Sequence, residues 1–132
     1  MQAAIESAEL YAATDGHARQ LADAAYANDV LTIRSLVDAL PVPAASPHRA
    51  AAVKAFVDFI DPADVGTAAY SAAQDGALEA LRLLHECGAD LDLGDTQEGA
   101  TPSGNAAEEG HTAAIRLLAE LRADVLKARS DG

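Results

Sequence analysis

The residue types best suited to catalysis or metal binding are His85 and Cys87, which lie two positions apart. A zinc site needs three or four ligands at suitable spacing. Cys87 is the only cysteine, and the other histidines, His17, His48 and His111, are scattered along the chain. Residues two positions apart on a helix do not face each other, which argues against a cysteine–histidine nucleophile pair. We therefore predict no metal ligand and no catalytic residue here, and we interpret Cys87 as a small buried apolar residue.

An acidic segment follows, "DLDLGDTQEGAT" at residues 90–101, whose composition suggests a calcium-binding loop. The EF-hand pattern needs an oxygen ligand at position 5, glycine at position 6 and glutamate at position 12. Those positions hold Gly94, Asp95 and Thr101, so we predict a turn rather than a calcium site. The sequence also contains no glycine-rich phosphate loop, no G-x-S-x-G and no H-E-x-x-H. We expect neither an enzyme nor a cofactor.

The charge of the chain narrows the class of partner. The sequence has 21 Asp and Glu residues against 9 Lys and Arg residues, a net charge of −12. Nucleic acids and anionic membrane surfaces bind positive charge, so neither is expected as a partner. A basic protein is favoured, although an acidic surface can also serve solubility alone. No apolar run reaches membrane-spanning length, and the first residues show no secretion signal, so we expect a cytoplasmic location.

The elements that position these residues are predicted to be helices. Alanine makes up about a quarter of the chain, and only 4% of the residues are aromatic. Alanine has the best helix propensity and lets helices pack closely. β-Branched residues rarely alternate with polar ones, which gives little sign of strands. The length suits a single all-α domain.

The strongest pattern is an internal repeat. Residues 72–91, "AAQDGALEALRLLHECGADL", recur 34 positions later at residues 106–125 as "AAEEGHTAAIRLLAELRADV". Each copy predicts a short helix that ends at Gly76 or Gly110, where glycine permits a left-handed backbone, followed by a second amphipathic helix. One helix pair cannot bury its apolar face alone, but it can do so against the next pair. Thr101 and Pro102 are predicted to open a helix as its cap and first turn.

These motifs resemble the ankyrin repeat. The resemblance is carried by Thr101-Pro102, Ala106-Ala107, Gly110-His111 and Ala123-Asp124 in one unit, and by Gly88-Ala89-Asp90 in the other. It implies an ankyrin-like helical repeat solenoid of about three to four helix pairs, with a degenerate N-terminal part. It also implies a structural role for His111 at the turn between helices. Arg34, Arg82 and Arg116 hold one equivalent position, so they form an anion-binding stripe, make salt bridges between repeats or lie along a solvated helix face.

We predict a single domain over residues 1–132, with further units before the clear repeats. Residues 1–17 are expected to form an N-terminal capping helix. Residues 18–40 are expected to form a first repeat, in which Asn28 replaces the turn glycine because asparagine tolerates a left-handed backbone. Residues 41–65 are interpreted as a degenerate repeat without a recognisable hairpin, or as a functional insertion. A repeat at 66–99 and a C-terminal repeat at 100–128 follow.

The resemblance implies a non-catalytic module that binds a protein through its concave face and hairpin tips. Given the charge, we expect a basic partner, and an inhibitor or immunity-type protein from a bacterium is one form of this hypothesis. The alternative is a structural or self-associating protein, and a monomer or a weak homo-oligomer is expected. The candidate partner-binding residues are Tyr70, Gln74, Asp75, Asp92, Asp95, Gln97, Glu98, Glu108 and Glu109.

Overall fold

A computed structural model describes residues 1–125. Those residues form eight α-helices and no strand, which confirms the predicted all-helical class. Residues 126–128 of the predicted last repeat lie outside the described part of the chain. The helices are α1 (Gln2–Ala13), α2 (His17–Tyr26), α3 (Val30–Asp38), α4 (Arg49–Val57), α5 (Ala68–Asp75), α6 (Leu78–Glu86), α7 (Pro102–Glu108) and α8 (Thr112–Glu120).

The helix boundaries follow local signals in the sequence. The side chains of Thr67 and Thr101 accept hydrogen bonds from backbone N–H groups in the first turns of α5 and α7, as N-cap residues do. Gly76, Gly110 and Asn28 lie in the turns that join paired helices, with positive φ angles of 68°, 75° and 58°. The predicted left-handed turn at Asn28 is therefore confirmed, and it joins α2 to α3 as Gly76 joins α5 to α6.

The helices stack in two layers. In one layer α2 packs against α5, and α5 packs against α7; in the other, α3 contacts α6, and α6 contacts α8. Alanine allows this close approach, since Ala72, Ala73 and Ala106 have no exposed surface. Leucines fill the space between the layers, and Leu81, Leu84 and Leu118 are fully buried. Each helix pair therefore buries its apolar face against its neighbour.

Polar side chains join neighbouring helix pairs. The ring of His111 hydrogen-bonds through Nε2 to the carbonyl oxygen of Gln74 at 2.9 Å. The amide of Asn105 donates to the carbonyl oxygen of Tyr70 at 3.1 Å. Between the pairs α2–α3 and α5–α6, the Asn28 side chain accepts a hydrogen bond from the N–H of Ala80 at 2.9 Å and donates one to the Glu79 carboxylate at 2.7 Å. Of the three equivalent arginines, Arg82 reaches a carboxylate of the next repeat, Glu120, at 3.9 Å.

Helices α1 and α4 form a separate pair that packs mainly against itself. Tyr11 of α1 joins it to the stack, because its ring stacks on His17 at 4.0 Å and contacts the edge of Phe56 at 5.1 Å. Its hydroxyl donates to the carbonyl oxygen of Leu36 at 2.8 Å. Arg49, at the start of α4, donates to the carbonyl oxygens of Val37, Leu40 and Val42 and so fixes the end of α3.

Candidate functional site

Two acidic loops precede α5 and α7, and they share one hydrogen-bonding scheme. We call residues 58–67 the first loop and residues 92–101 the second loop. Asp58 accepts the N–H of Asp90 at 2.9 Å, and Asp92 accepts the N–H of Asp124 at 2.7 Å. Each donor and each acceptor lies 34 positions from its counterpart.

Asp61 accepts the N–H of Ala63 at 2.8 Å, as Asp95 accepts that of Gln97 at 3.1 Å. The loops lie side by side, since the N–H of Thr96 donates to the carbonyl oxygen of Val65 at 2.7 Å. The first loop thus keeps two contacts of the second, whereas Asp95 also accepts bonds that close the tip of the second loop.

The carboxylate of Asp95 organises the tip of the second loop. One of its oxygens, Oδ1, accepts the backbone N–H groups of Gln97, Glu98 and Gly99 at 3.1, 2.7 and 3.0 Å. The hydroxyl of Tyr70 also donates to this carboxylate. Partial burial acts to raise the pKa of Asp95, but these hydrogen bonds outweigh it and leave the pKa below its ordinary value. Asp95 is therefore ionised near neutral pH and holds the loop closed.

Tyr70 lies half-buried beneath this loop, in the first turn of α5. Its ring covers Gly66, where an added Cβ would lie 2.6 Å from the ring. Burial, the hydrogen bond to Asp95 and the charges of Asp95, Glu108 and Glu98 together raise the pKa of Tyr70 to about 12. The structure thus brings together four of the nine sequence-predicted site residues around one hydroxyl group.

The other sequence-predicted site residues divide into exposed and structural ones. Gln97, Gln74, Asp75 and Glu109 are exposed, the last three at the C-terminal ends of α5 and α7. Asp92 is only partly exposed, and its carboxylate accepts the hydrogen bond from Asp124 described above. Asp92 and Asp95 therefore shape the surface, whereas the exposed residues are the ones that a partner could contact.

Comparison with known proteins identifies the architecture. The family model described as ankyrin repeats (3 copies) matches residues 21–128, most of the chain. The chain belongs to the ankyrin-repeat family. The match begins within α2, includes the rest of the helix pair α2–α3 and the pairs α5–α6 and α7–α8, and leaves α1 before it. Ankyrin repeats are in general protein–protein interaction modules, so the chain carries such a module. No curated protein matches it.

Sequence reasoning missed three residues of this ankyrin surface. Asp58 and Asp61 precede Asp92 and Asp95 by one repeat period, a signal that was present in the sequence. Tyr26 lies 48 positions before Gln74, at the equivalent place on α2, and 47% of it is exposed. The offset of 48 that aligns Asn28 with Gly76 also aligns Tyr26 with Gln74.

The metal-binding and thiol side chains of the ankyrin domain can be compared with the sequence predictions within the residues that the structure describes. Within residues 1–125, no group of three or more His, Cys, Asp or Glu side chains is placed to hold a metal ion. Cys87 caps the end of α6, and burial raises the pKa of its thiol, which disfavours the reactive thiolate. Cys87 is partly rather than fully buried. In this same part of the chain, every helix is too short or too polar to cross a membrane.

Proposed function

We propose that this ankyrin-repeat protein binds a basic segment of a partner protein through a surface that we call the acidic face. The acidic face comprises Tyr70, the tip of the second loop and the exposed ends of α5 and α7. Its residues, besides Tyr70, are Gln74, Asp75, Gln97, Glu98, Glu108 and Glu109. The observation that carries the proposal is the grouping of acidic side chains at one place: Asp95 accepts the Tyr70 hydroxyl, and the charges of Glu98 and Glu108 act on the same hydroxyl.

The carboxylates of this region have separate tasks in the proposal. Asp92 and Asp95 accept backbone hydrogen bonds and so hold the loop and the next repeat in place. Glu98 and Glu108 are exposed, and their charges would face the partner. Complementary charge accelerates encounter and selects against acidic competitors, with an effect that salt screens over about 8–10 Å. The proposal therefore predicts binding that weakens as salt increases.

The test begins with capture from native lysate at low and high salt, with bound proteins identified by mass spectrometry. A basic protein that is retained at low salt and lost at high salt is then purified, and its dissociation constant is measured. Glu98→Lys combined with Glu108→Lys should weaken this binding by about tenfold or more, since each exposed charge pair contributes roughly 0.2–1 kcal/mol and reversal replaces attraction by repulsion.

The matched control carries the same change of net charge on the second helices of the repeats. It combines Asp38→Lys on α3 with Glu86→Lys on α6, both at exposed positions. The control should retain most of the affinity of the unmodified protein. Equal loss in both double variants would show that only net charge matters and would reject the acidic face as a specific site.

An inhibitor of a basic toxin or nuclease is one form of this proposal, supported by the charge of the chain alone. The alternative is self-association, which is favoured by apolar side chains that the stack leaves exposed. Leu31 on α3 is 75% exposed and is the clearest case. Sedimentation equilibrium at two salt concentrations separates the two functions: a dimer that persists at high salt favours self-association, whereas a monomer at both salts excludes it.

A further inference from the structure

A groove lies outside the repeat surface, between α1, the turn that follows it and Pro41. Its volume is about 440 Å³, within the roughly 300–1,000 Å³ of typical ligand sites. Leu10 and Tyr11 line it from α1, and Asp15 and His17 line it from the turn and from the start of α2. All four precede residue 21, where the ankyrin match begins. Most of the groove lining therefore comes from residues that precede the match, and Pro41 completes it from within the match.

The walls of this α1–Pro41 groove are held in place by hydrogen bonds. The Nδ1 nitrogen of His17 donates to the carbonyl oxygen of Tyr11 at 2.8 Å, and the two rings are stacked. Thr14, which also lines the groove, donates its hydroxyl hydrogen to the carbonyl oxygen of Leu10. Because Tyr11 is in turn bonded to Leu36, the wall continues into the core of the first repeat. A partner would meet a preformed groove and would lose little entropy in ordering it.

The rim of the groove combines apolar surface with negative charge. Leu10 is 69% exposed, and Pro41 opposite it is also exposed. Asp15 lines the groove, and the segment of residues 1–17 contains two further acidic side chains and no lysine or arginine. The nearest basic residue in the sequence, Arg19, is paired with Asp23 and Asp64. An apolar group with a positive neighbour fits this combination, and an acidic group does not.

We propose that the α1–Pro41 groove binds an apolar side chain of a protein partner, with an adjacent lysine or arginine held by the carboxylate of Asp15. Leu10 and Pro41 would contact the apolar side chain, and the Tyr11–His17 stack would form the wall beside it. Charge complementarity selects a basic protein segment over a second copy of this chain, which carries a net charge of −12. The inference does not rest on the acidic face, because the two surfaces share no residue.

The test uses the full chain, labelled with ¹⁵N, and two capped peptides, acetyl-Lys-Leu-Lys-amide and acetyl-Glu-Leu-Glu-amide. Amide resonances are recorded as each peptide is added. The basic peptide should cause saturable shifts at Leu10, Thr14 and His17, and the acidic peptide should bind at least about fivefold more weakly, as expected for loss of one or two exposed charge pairs.

Two leucine variants test whether the groove itself is responsible. Leu10→Ser should weaken the binding of the basic peptide by about fivefold or more, because it removes the exposed apolar rim. Leu31→Ser removes a similarly exposed leucine from α3, away from the groove lining, and should leave the affinity unchanged. Far-UV circular dichroism checks that both variants keep their helices.

Several outcomes would overturn the proposal. Equal binding of both peptides would show that the site does not select by charge. Equal loss of affinity in both leucine variants would show that the groove is not the binding site. Shifts at the groove that grow with protein concentration, without peptide, would identify a second copy as its occupant. Shifts confined to Tyr70 and Glu98 would reject the groove while supporting the acidic face. Conversely, Glu98→Lys with Glu108→Lys should leave binding at the groove unchanged, so the two proposals fail separately.

Discussion

Removing either of two hydroxyl groups at the start of α7 should change the free energy of unfolding, and the two changes should have opposite signs. Thr101 and Ser103 are both buried, at 1% and 3% exposure. The Thr101 hydroxyl accepts the N–H of Gly104 at 3.2 Å and caps the helix. The Ser103 hydroxyl has no hydrogen-bond partner among the residues that the structure describes. We predict that Ser103→Ala stabilises the protein and that Thr101→Ala destabilises it.

The magnitudes follow from these environments. A buried hydroxyl without a partner costs about 1–3 kcal/mol of desolvation, and alanine exceeds serine in helix propensity by roughly 0.5 kcal/mol. Replacing Ser103 leaves a gap of one oxygen atom, which offsets part of this gain. We expect Ser103→Ala to raise the free energy of unfolding by about 1–2 kcal/mol. This corresponds to an increase in Tm of about 3–8 °C for a chain of this size. Thr101→Ala should lower the free energy of unfolding by about 1–2 kcal/mol, as loss of an N-cap does.

Urea unfolding, followed by circular dichroism at a fixed protein concentration, measures both changes. The slope of the free energy against urea should stay constant, so that the midpoint reports stability alone. A Ser103→Ala variant that is less stable than the unmodified protein would refute the reasoning, because it would show that the hydroxyl makes a favourable hydrogen bond. A stable Thr101→Ala variant would show that the cap contributes nothing.

Three further perturbations test other contacts. Asn28→Ala should lower the free energy of unfolding in urea by about 2 kcal/mol, because it places alanine at a positive φ and removes two side-chain bonds to the next repeat. Asn28→Gly, which suits the backbone, should lower it less. Equal losses in the two variants would show that backbone strain does not contribute. In a spectrophotometric titration Tyr70 should ionise near its raised pKa of about 12, and a midpoint near 10 would contradict its contact with Asp95. Because the folded pKa exceeds the unfolded value of about 10, the stability linked to Tyr70 is fully present below pH of about 10 and is lost as the pH rises towards 12. Arg49→Met should speed amide hydrogen exchange at residues 37–44 but not in α7, because the guanidinium donates to the carbonyl oxygens of Val37, Leu40 and Val42. Unchanged exchange at 37–44 would show that these bonds do not hold the segment.

The repeats could be predicted from the sequence because their signals are local. Gly76 and Gly110 mark turns that need a left-handed backbone, and Thr101 with Pro102 marks the start of a helix. These signals depend on neighbouring residues only, so they can be recognised without knowledge of the fold. Asn28 shows the same logic with a different residue, since asparagine is the next best choice after glycine at such a turn.

The packing of α1 and α4 could not be predicted, because it depends on contacts between residues distant in sequence. Tyr11 contacts Phe56, and Lys54 donates to the carbonyl oxygen of Gly88 at 3.2 Å. Neither contact leaves a periodic pattern in the sequence. The hydrogen bonds of the first loop keep the repeat period, so we infer that the departure from the repeat is confined to residues 41–57. On this inference α4 is inserted between two units that stack directly, since α2 packs against α5.

The sequence predicted which polar residues form the candidate surface. The structure was needed to show which of them maintain the loop and which are exposed to a partner. Asp95 and Glu98 are both acidic and lie three positions apart in one loop, so their sequence context does not separate them. Asp95 is surrounded by four hydrogen-bond donors and maintains the shape of the loop, whereas Glu98 is exposed at its tip. Reversing the charge at Asp95 would therefore open the loop and impair binding for a structural reason. Reversal at Glu98 changes the charge at the tip and keeps the carboxylate of Asp95 with its donors, which makes Glu98 the sharper probe of electrostatic recognition.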